Sequence, residues 1–90
     1  MIVHVRDSAA VDAWAKDVPD TARLLVDAFW PGPLTIVVPR AEHVSDAITG
    51  GQPTIALRAP SHPMFAAVLT ELTSETLPAP GIAAPSANRF

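Results

Sequence analysis

The sequence predicts an α/β domain whose sheet is at least partly parallel, and three observations carry that reading. Short β-branched or apolar runs at 2–5, 34–38, 54–58 and 82–84 alternate with stretches of helical periodicity. Proline and glycine punctuate the joins, as at Trp30-Pro31-Gly32-Pro33 and Gly50-Gly51. The alternation itself calls for a sheet that is at least partly parallel, because a helix between strands returns the chain across the sheet.

Each element follows from local chemistry. Ile2, Val3 and Val5 form a β-branched strand interrupted by His4, and Asp7 and Ser8 then offer helix N-caps. Val11, Trp14, Ala15 and Val18 fall at i, i+3, i+4, i+7, which predicts a helix over 8–18 that ends before Pro19. A second helix is expected from an Asp20 cap, with Ala22, Leu25, Val26 and Phe29 buried and Asp20, Arg23 and Asp27 in water. Arg23 and Asp27 form an i, i+4 pair of little energetic weight.

Neither Pro31 nor Pro33 can continue a helical hydrogen-bond ladder, so the chain must turn there, with Trp30 bracing the turn. Residues 34–38 are apolar except for Thr35, which predicts a strand covered on both faces that Pro39 ends. From 40 to 53 the chain is polar and reads as a loop with one helical turn near 44–48, closed by the freedom of Gly50-Gly51. After the strand at 54–58, Pro60 and Ser61 start a helix with Pro63 in its first turn. Phe65, Val68, Leu69 and Leu72 supply its core stripe, and 70–80 lead to the last short strand.

Composition narrows the function. With 90 residues there is room for one small domain spanning 1–90. A 49% apolar content and a mean hydropathy of +0.28 exceed what so small a free-standing surface can hide, so some apolar surface is expected to meet a partner. That partner is either a second copy or the remainder of a larger domain. Six Lys+Arg against nine Asp+Glu argue against gripping nucleic acid through phosphates alone. Without cysteine there are no disulfides or thiolate metal sites, and the three histidines have no metal-ligand spacing. No basic leader opens the chain and no apolar run nears membrane-spanning length, so the expected setting is cytoplasmic, away from membranes.

Ligands of open α/β sheets sit beyond the strand ends, which selects three places. Arg58 closes the strand Thr54-Ile55-Ala56-Leu57-Arg58 and could grip a carboxylate or phosphate, or could equally form a surface ion pair. Ala83-Ala84-Pro85-Ser86-Ala87-Asn88 offers small side chains and polar donors suited to a nucleotide, although Ser and Asn also serve as plain turn formers. His4 stands alone in an apolar strand, where an imidazole is more often an interior group than a ligand. Trp14 and Phe65 read as core. No Ser/His/Asp order suggests a triad, and neither phosphate-cradling glycine pattern is present.

Taken together, FWPGPLT (29–35), TGG (49–51), TIALRAPSHP (54–63) and IAAPSAN (82–88) resemble, in order, segments of the YrdC-like family, and IVHV at the start is similar to a family stretch as well. The resemblance covers nearly the whole chain and implies a YrdC-like twisted mixed sheet with flanking helices, here an incomplete domain. It also implies an L-threonylcarbamoyladenylate synthase, a nucleotidyltransferase that makes threonylcarbamoyl-AMP and pyrophosphate from L-threonine, bicarbonate and ATP for a transfer-RNA modification. On the resemblance, His4, Arg58 and the Ala84 main chain would hold threonine, while Thr54, Ser86 and Asn88 would contact ATP. Mg²⁺ would accompany the nucleotide on its phosphate oxygens.

The family's Lys-x-Arg-Pro motif, which supplies the main positive charge for the triphosphate, does not occur in these residues. The 90 residues alone are therefore expected to bind ATP weakly or not at all and to form no product. Two competing readings belong to the same fold. One is a non-catalytic protein that binds double-stranded RNA or assists ribosome maturation, against which the net acidity weighs. The other is the related domain of hydrogenase-maturation carbamoyltransferases, which long flanking domains would betray.

Overall fold

A computed structural model describes residues 1–85. Ser86 and Asn88, expected to contact a nucleotide, lie outside the described residues. Strand β1 (Ile2–Val5) leads through a 3-10 turn at Ser8–Ala10 into α1 (Val11–Trp14) and α2 (Asp20–Phe29). Then follow β2 (Thr35–Pro39), α3 (Asp46–Thr49), β3 (Thr54–Arg58), α4 (Pro63–Leu72) and β4 (Gly81–Ala84). The four strands form one sheet in the order β2-β3-β1-β4. Its central pair β1–β3 is parallel and both outer pairs are antiparallel, which meets the expectation of a partly parallel sheet.

Strand side chains alternate between faces, and the register sorts them cleanly. Val3 lies beside Leu57, and Leu57 beside Ile36, so these three share one face, with Val5, Ile55 and Val38 following by the period of two. All six are buried and form the core with Val11, Ala15 and Val26. The opposite face carries Ile2, His4, Ala56, Arg58 and Val37 and is only partly covered.

Several expectations change in the structure. Residues 34–38 do not make a strand covered on both faces: Ile36 and Val38 are buried, but Val37 is 66% exposed. The apolar run records strand propensity there, and helical cover lies on the core side. The helix expected over 8–18 ends at Trp14, because Ala15 turns extended (φ −129°, ψ 157°) and bridges Arg40. Lys16 N–H donates to Pro39 O at 2.9 Å and Ala41 N–H to Trp14 O at 2.9 Å, so the margin of β2 captures this segment. Val11 and Ala15 are buried all the same, since the apolar spacing reported burial and tertiary pairing decided the backbone.

In α2 the N-cap is Pro19, with Asp20 in the first turn, and no side chain caps it. Of the stripe expected to be buried, Val26 alone is fully so, while Leu25 and Phe29 are exposed. Arg23 turns from Asp27 to Asp12, meeting its carboxylate oxygens at 2.6 and 3.2 Å. The helical turn expected near 44–48 is α3, capped by the Ser45 hydroxyl and closed by Gly50 and Gly51 at φ 64° and 80°, values that favour glycine. The α4 helix begins at Pro63, two residues after the expected Ser61 start, with His62 as cap. In its stripe Leu69 is buried, Phe65 is half-buried, and Val68 and Leu72 are exposed. Trp14 is half-buried at the core's margin, with its indole N–H donating to Ala79 O at 2.9 Å.

Candidate functional site

The site grows from the end of β3. Trp30 donates its indole N–H to Leu34 O at 2.8 Å, which braces the turn as expected, and Gly32 N–H donates to Ala59 O at 2.8 Å. The turn is thereby tied to the chain just beyond Arg58. A Cβ on Gly32 would stand 2.7 Å from Phe29 O, so glycine is required by the close backbone approach rather than by dihedral freedom. In return Gly32 O accepts the Arg58 Nε–H at 3.2 Å. One edge of the guanidinium is thus fixed by main chain.

Arg6, Lys16, Arg23 and Arg40 each pair with a carboxylate, of Asp7, Glu42, Asp12 and Asp46 respectively. Among the described residues no carboxylate pairs with Arg58, so the ion-pair reading of this residue finds no partner there. An arginine held by a carbonyl at Nε keeps its terminal N–H groups for an anion.

His4 is the register neighbour of Arg58 across the parallel β1–β3 pair. Its side chain is half-buried, and its Nδ1 is buried with no hydrogen-bond partner. Burial first, and the adjacent Arg58 charge second, hold its pKa below the ordinary 6.5, so the imidazole is neutral at neutral pH. The interior group anticipated for an isolated histidine is therefore an unsatisfied one. An orphan of that kind is costly to leave unmade and marks a place for a ligand atom.

These two residues share a cavity of ≈ 510 Å³, within the range of small-molecule sites. Its other walls come from Pro60 to His62 at the entry to α4, from Met64, Phe65 and Val68 on α4, and from Ile82 on β4. One wall is cationic and the facing wall is apolar. Phe65, expected in the core, lies against His4 instead, with ring centroids 5.3 Å apart and a tilt of 37°. His62 caps α4 by accepting Met64 N–H at Nδ1 (3.1 Å), which fixes the proton on Nε2 when the ring is neutral. Sequence reasoning gave His62 no role. Its place between Ser61 and Pro63, at a helix start, was the available signal.

The remaining predicted residues are not gathered here. Thr54 lies on the same face as Arg58 by parity, but roughly 13 Å away at the other end of β3, at about 3.3 Å per residue. It borders a smaller cavity of ≈ 150 Å³ with Val37, Ile48 and Ala56. Ala84 pairs with Ile2 while Ile82 pairs with His4, so Ala84 stands one step along the same face, outside the cavity lining.

Comparison with known proteins places the chain. The Sua5/YciO/YrdC family model, described as telomere recombination, matches residues 1–90. The threonylcarbamoyl-AMP synthase of Pyrococcus abyssi is 43% identical over 88 residues, which are 98% of this chain and 24% of that protein. The Bacillus subtilis protein of the same name is 38% identical over 89 residues, again 98% of this chain and 24% of the relative. The crystal structure of P. abyssi Sua5 complexed with L-threonine superposes with a TM-score of 0.78 at 40% identity, covering 97% of this chain and 24% of that one. The chain thus spans about a quarter of the length of these relatives. With the family model matching all 90 residues and a solved relative superposing at a TM-score of 0.78, the chain belongs to the Sua5/YciO/YrdC family.

Proposed function

We propose that the chain carries the amino-acid end of an L-threonylcarbamoyladenylate synthase site. The observation that carries this reading is the pairing of Arg58, which has no described carboxylate, with a neutral His4 whose Nδ1 lacks a partner, in one cavity. The guanidinium suits the α-carboxylate of L-threonine, and a neutral imidazole can accept one hydrogen bond from the ammonium or hydroxyl. Relatives named threonylcarbamoyl-AMP synthase and a relative's complex with L-threonine support the choice of substrate.

In the proposed reaction, the threonine amine bonds to the bicarbonate carbon as water is lost, and the carbamate carboxylate so formed attacks the α-phosphorus of ATP as pyrophosphate leaves. Positioning and charge neutralisation supply most of the catalysis of such a transfer. Arg58 and His4 would contribute the positioning of threonine. Contacts of Thr54, Ser86 and Asn88 with the nucleotide, and Mg²⁺ on its phosphates, rest on the family resemblance. An RNA partner rests on the family resemblance and a cytoplasmic setting on the sequence; among the described residues Arg6, Lys16, Arg23 and Arg40 are each engaged by an acid.

The test is an exchange. Residues 1–90 replace the matched segment of the B. subtilis relative, and pyrophosphate release is followed with and without L-threonine and bicarbonate. The expected outcome is release that depends on both, reduced by Arg58→Ala in the chimera by about 10- to 100-fold, the worth of a charged hydrogen-bond pair. A folded chimera whose release ignores Arg58 would refute the assignment. The isolated 90-residue chain is expected to release none.

A further inference from the structure

We propose that Phe65 is a positioning residue for this site: its ring packs against the His4 imidazole and orients Nδ1 to receive one hydrogen bond from the bound amino acid. The inference rests on the amino-acid reading of the cavity and extends it to a residue whose apolar spacing marks it only as core.

Three observations support it. The ring centroids are 5.3 Å apart, inside the range of favourable aromatic packing, with the two ring planes tilted by 37°. Phe65 is half-buried and faces the cavity, whereas Leu69, one turn on, is the residue that anchors α4. Nδ1 of His4 is buried and unpartnered although the cavity is open to ligands, so the imidazole is held in an unsatisfied state by what packs on it.

The groups around His4 can be named from each element. Arg58 flanks it on β3, Ile82 pairs with it on β4, Phe65 covers it from α4, and His62 stands at the same cavity's rim. Burial and Arg58 both favour the neutral ring. Protonation would set a second positive charge beside Arg58 and against the ammonium of an amino acid, so the phenyl cover protects the form of His4 that can accept.

The full chain and its Phe65→Ala, Phe65→Leu and Phe65→Tyr variants are titrated by NMR at the His4 imidazole, and L-threonine affinity is measured at about pH 6 and about pH 8. The His4 midpoint is expected below 6.5 in the native chain, shifted up toward 6.5 in Phe65→Ala, intermediate in Phe65→Leu, and restored in Phe65→Tyr. Affinity in Phe65→Ala should drop more at the acidic pH than at the basic one. If Phe65→Ala does not fold, Phe65→Leu decides. An unchanged His4 midpoint in a folded Phe65→Ala or Phe65→Leu variant overturns the proposal and leaves Phe65 a plain helix anchor. Absence of L-threonine binding in the native chain at both pH values would count against the amino-acid reading, while the midpoints would still decide whether Phe65 governs His4.

Discussion

The two faces of the same sheet do opposite work. On one, Val3, Val5, Ile36, Val38, Ile55 and Leu57 interlock with α1 and α2 and are buried. On the other, the residues between them in sequence remain accessible: Val37 is 66% exposed, and His4 and Arg58 open into a cavity beneath α4. Because strand side chains alternate, a single strand serves both, and neighbouring residues such as Leu57 and Arg58 belong to different tasks. The lesson is that stability and binding here should be separable by parity.

The largest effect that would break this comparison is on the core side. Leu57→Ala empties a fully buried position and should cost about 2–5 kcal/mol in urea denaturation, enough to threaten a domain this small. Val37→Thr, on the open face of the adjacent strand, should stay within about 0.5 kcal/mol. Comparable losses for the two would mean that the faces are not distinct. Next in size is Gly81→Ala. Its methyl would meet Val3 Cγ1 at 2.6 Å and the Trp14 ring at 2.7 Å, and Trp14 is tethered through its indole N–H, so a loss of about 1–3 kcal/mol is expected in the same measurement.

A third prediction separates site from scaffold through the turn that aims Arg58. Gly32→Ala forces the backbone away from Phe29 O and disturbs the carbonyl that receives Arg58 Nε–H. Weaker L-threonine binding, measured by calorimetry, should accompany that change even after any loss of stability is allowed for.

Acid sharpens the contrast more gently. The folded pKa of His4 lies below its unfolded value of 6.5, so the unfolded chain takes up the proton first. This contribution to stability is present above pH 6.5 and is lost as pH falls through the folded pKa; His4→Phe should remove that part of the pH dependence of urea midpoints. The smallest effect belongs to the exposed Asp12–Arg23 pair. The Arg23 hydrogen bond lowers the Asp12 pKa, so its contribution is present above the ordinary 3.8 and fades below it; Asp12→Asn should shift the urea midpoint less than any core change above.

What was legible in the sequence follows the same division. The β3 boundaries, the Gly50-Gly51 reversal and the bracing role of Trp30 follow from local rules, because strand propensity, left-handed glycine and proline stops act over a few residues. The departure of Ala15 from a helix did not, since a backbone bridge to Arg40 is a contact across 25 positions that periodicity does not encode. The α2 and α4 stripes told which residues share a face, but not that Leu25, Phe29 and Val68 would stand exposed. In the site, strand-end position singled out Arg58 and isolation in an apolar strand singled out His4, while the family resemblance alone implied a binding role for the histidine. Thr54 came from the same matched segment, yet four residues of strand carry it to the far end of the sheet. Phe65 and His62 were hidden because a core spacing and a helix cap are ordinary structural signals that also happen to face the cavity.

The most direct test of the account is an NMR titration of the chain with L-threonine, reading the Arg58 guanidinium and His4 imidazole resonances. The account predicts saturable shifts at both groups, abolished by Arg58→Ala in a variant that retains the native fold. Shifts that leave both groups unmoved, or that survive Arg58→Ala unchanged, would contradict it.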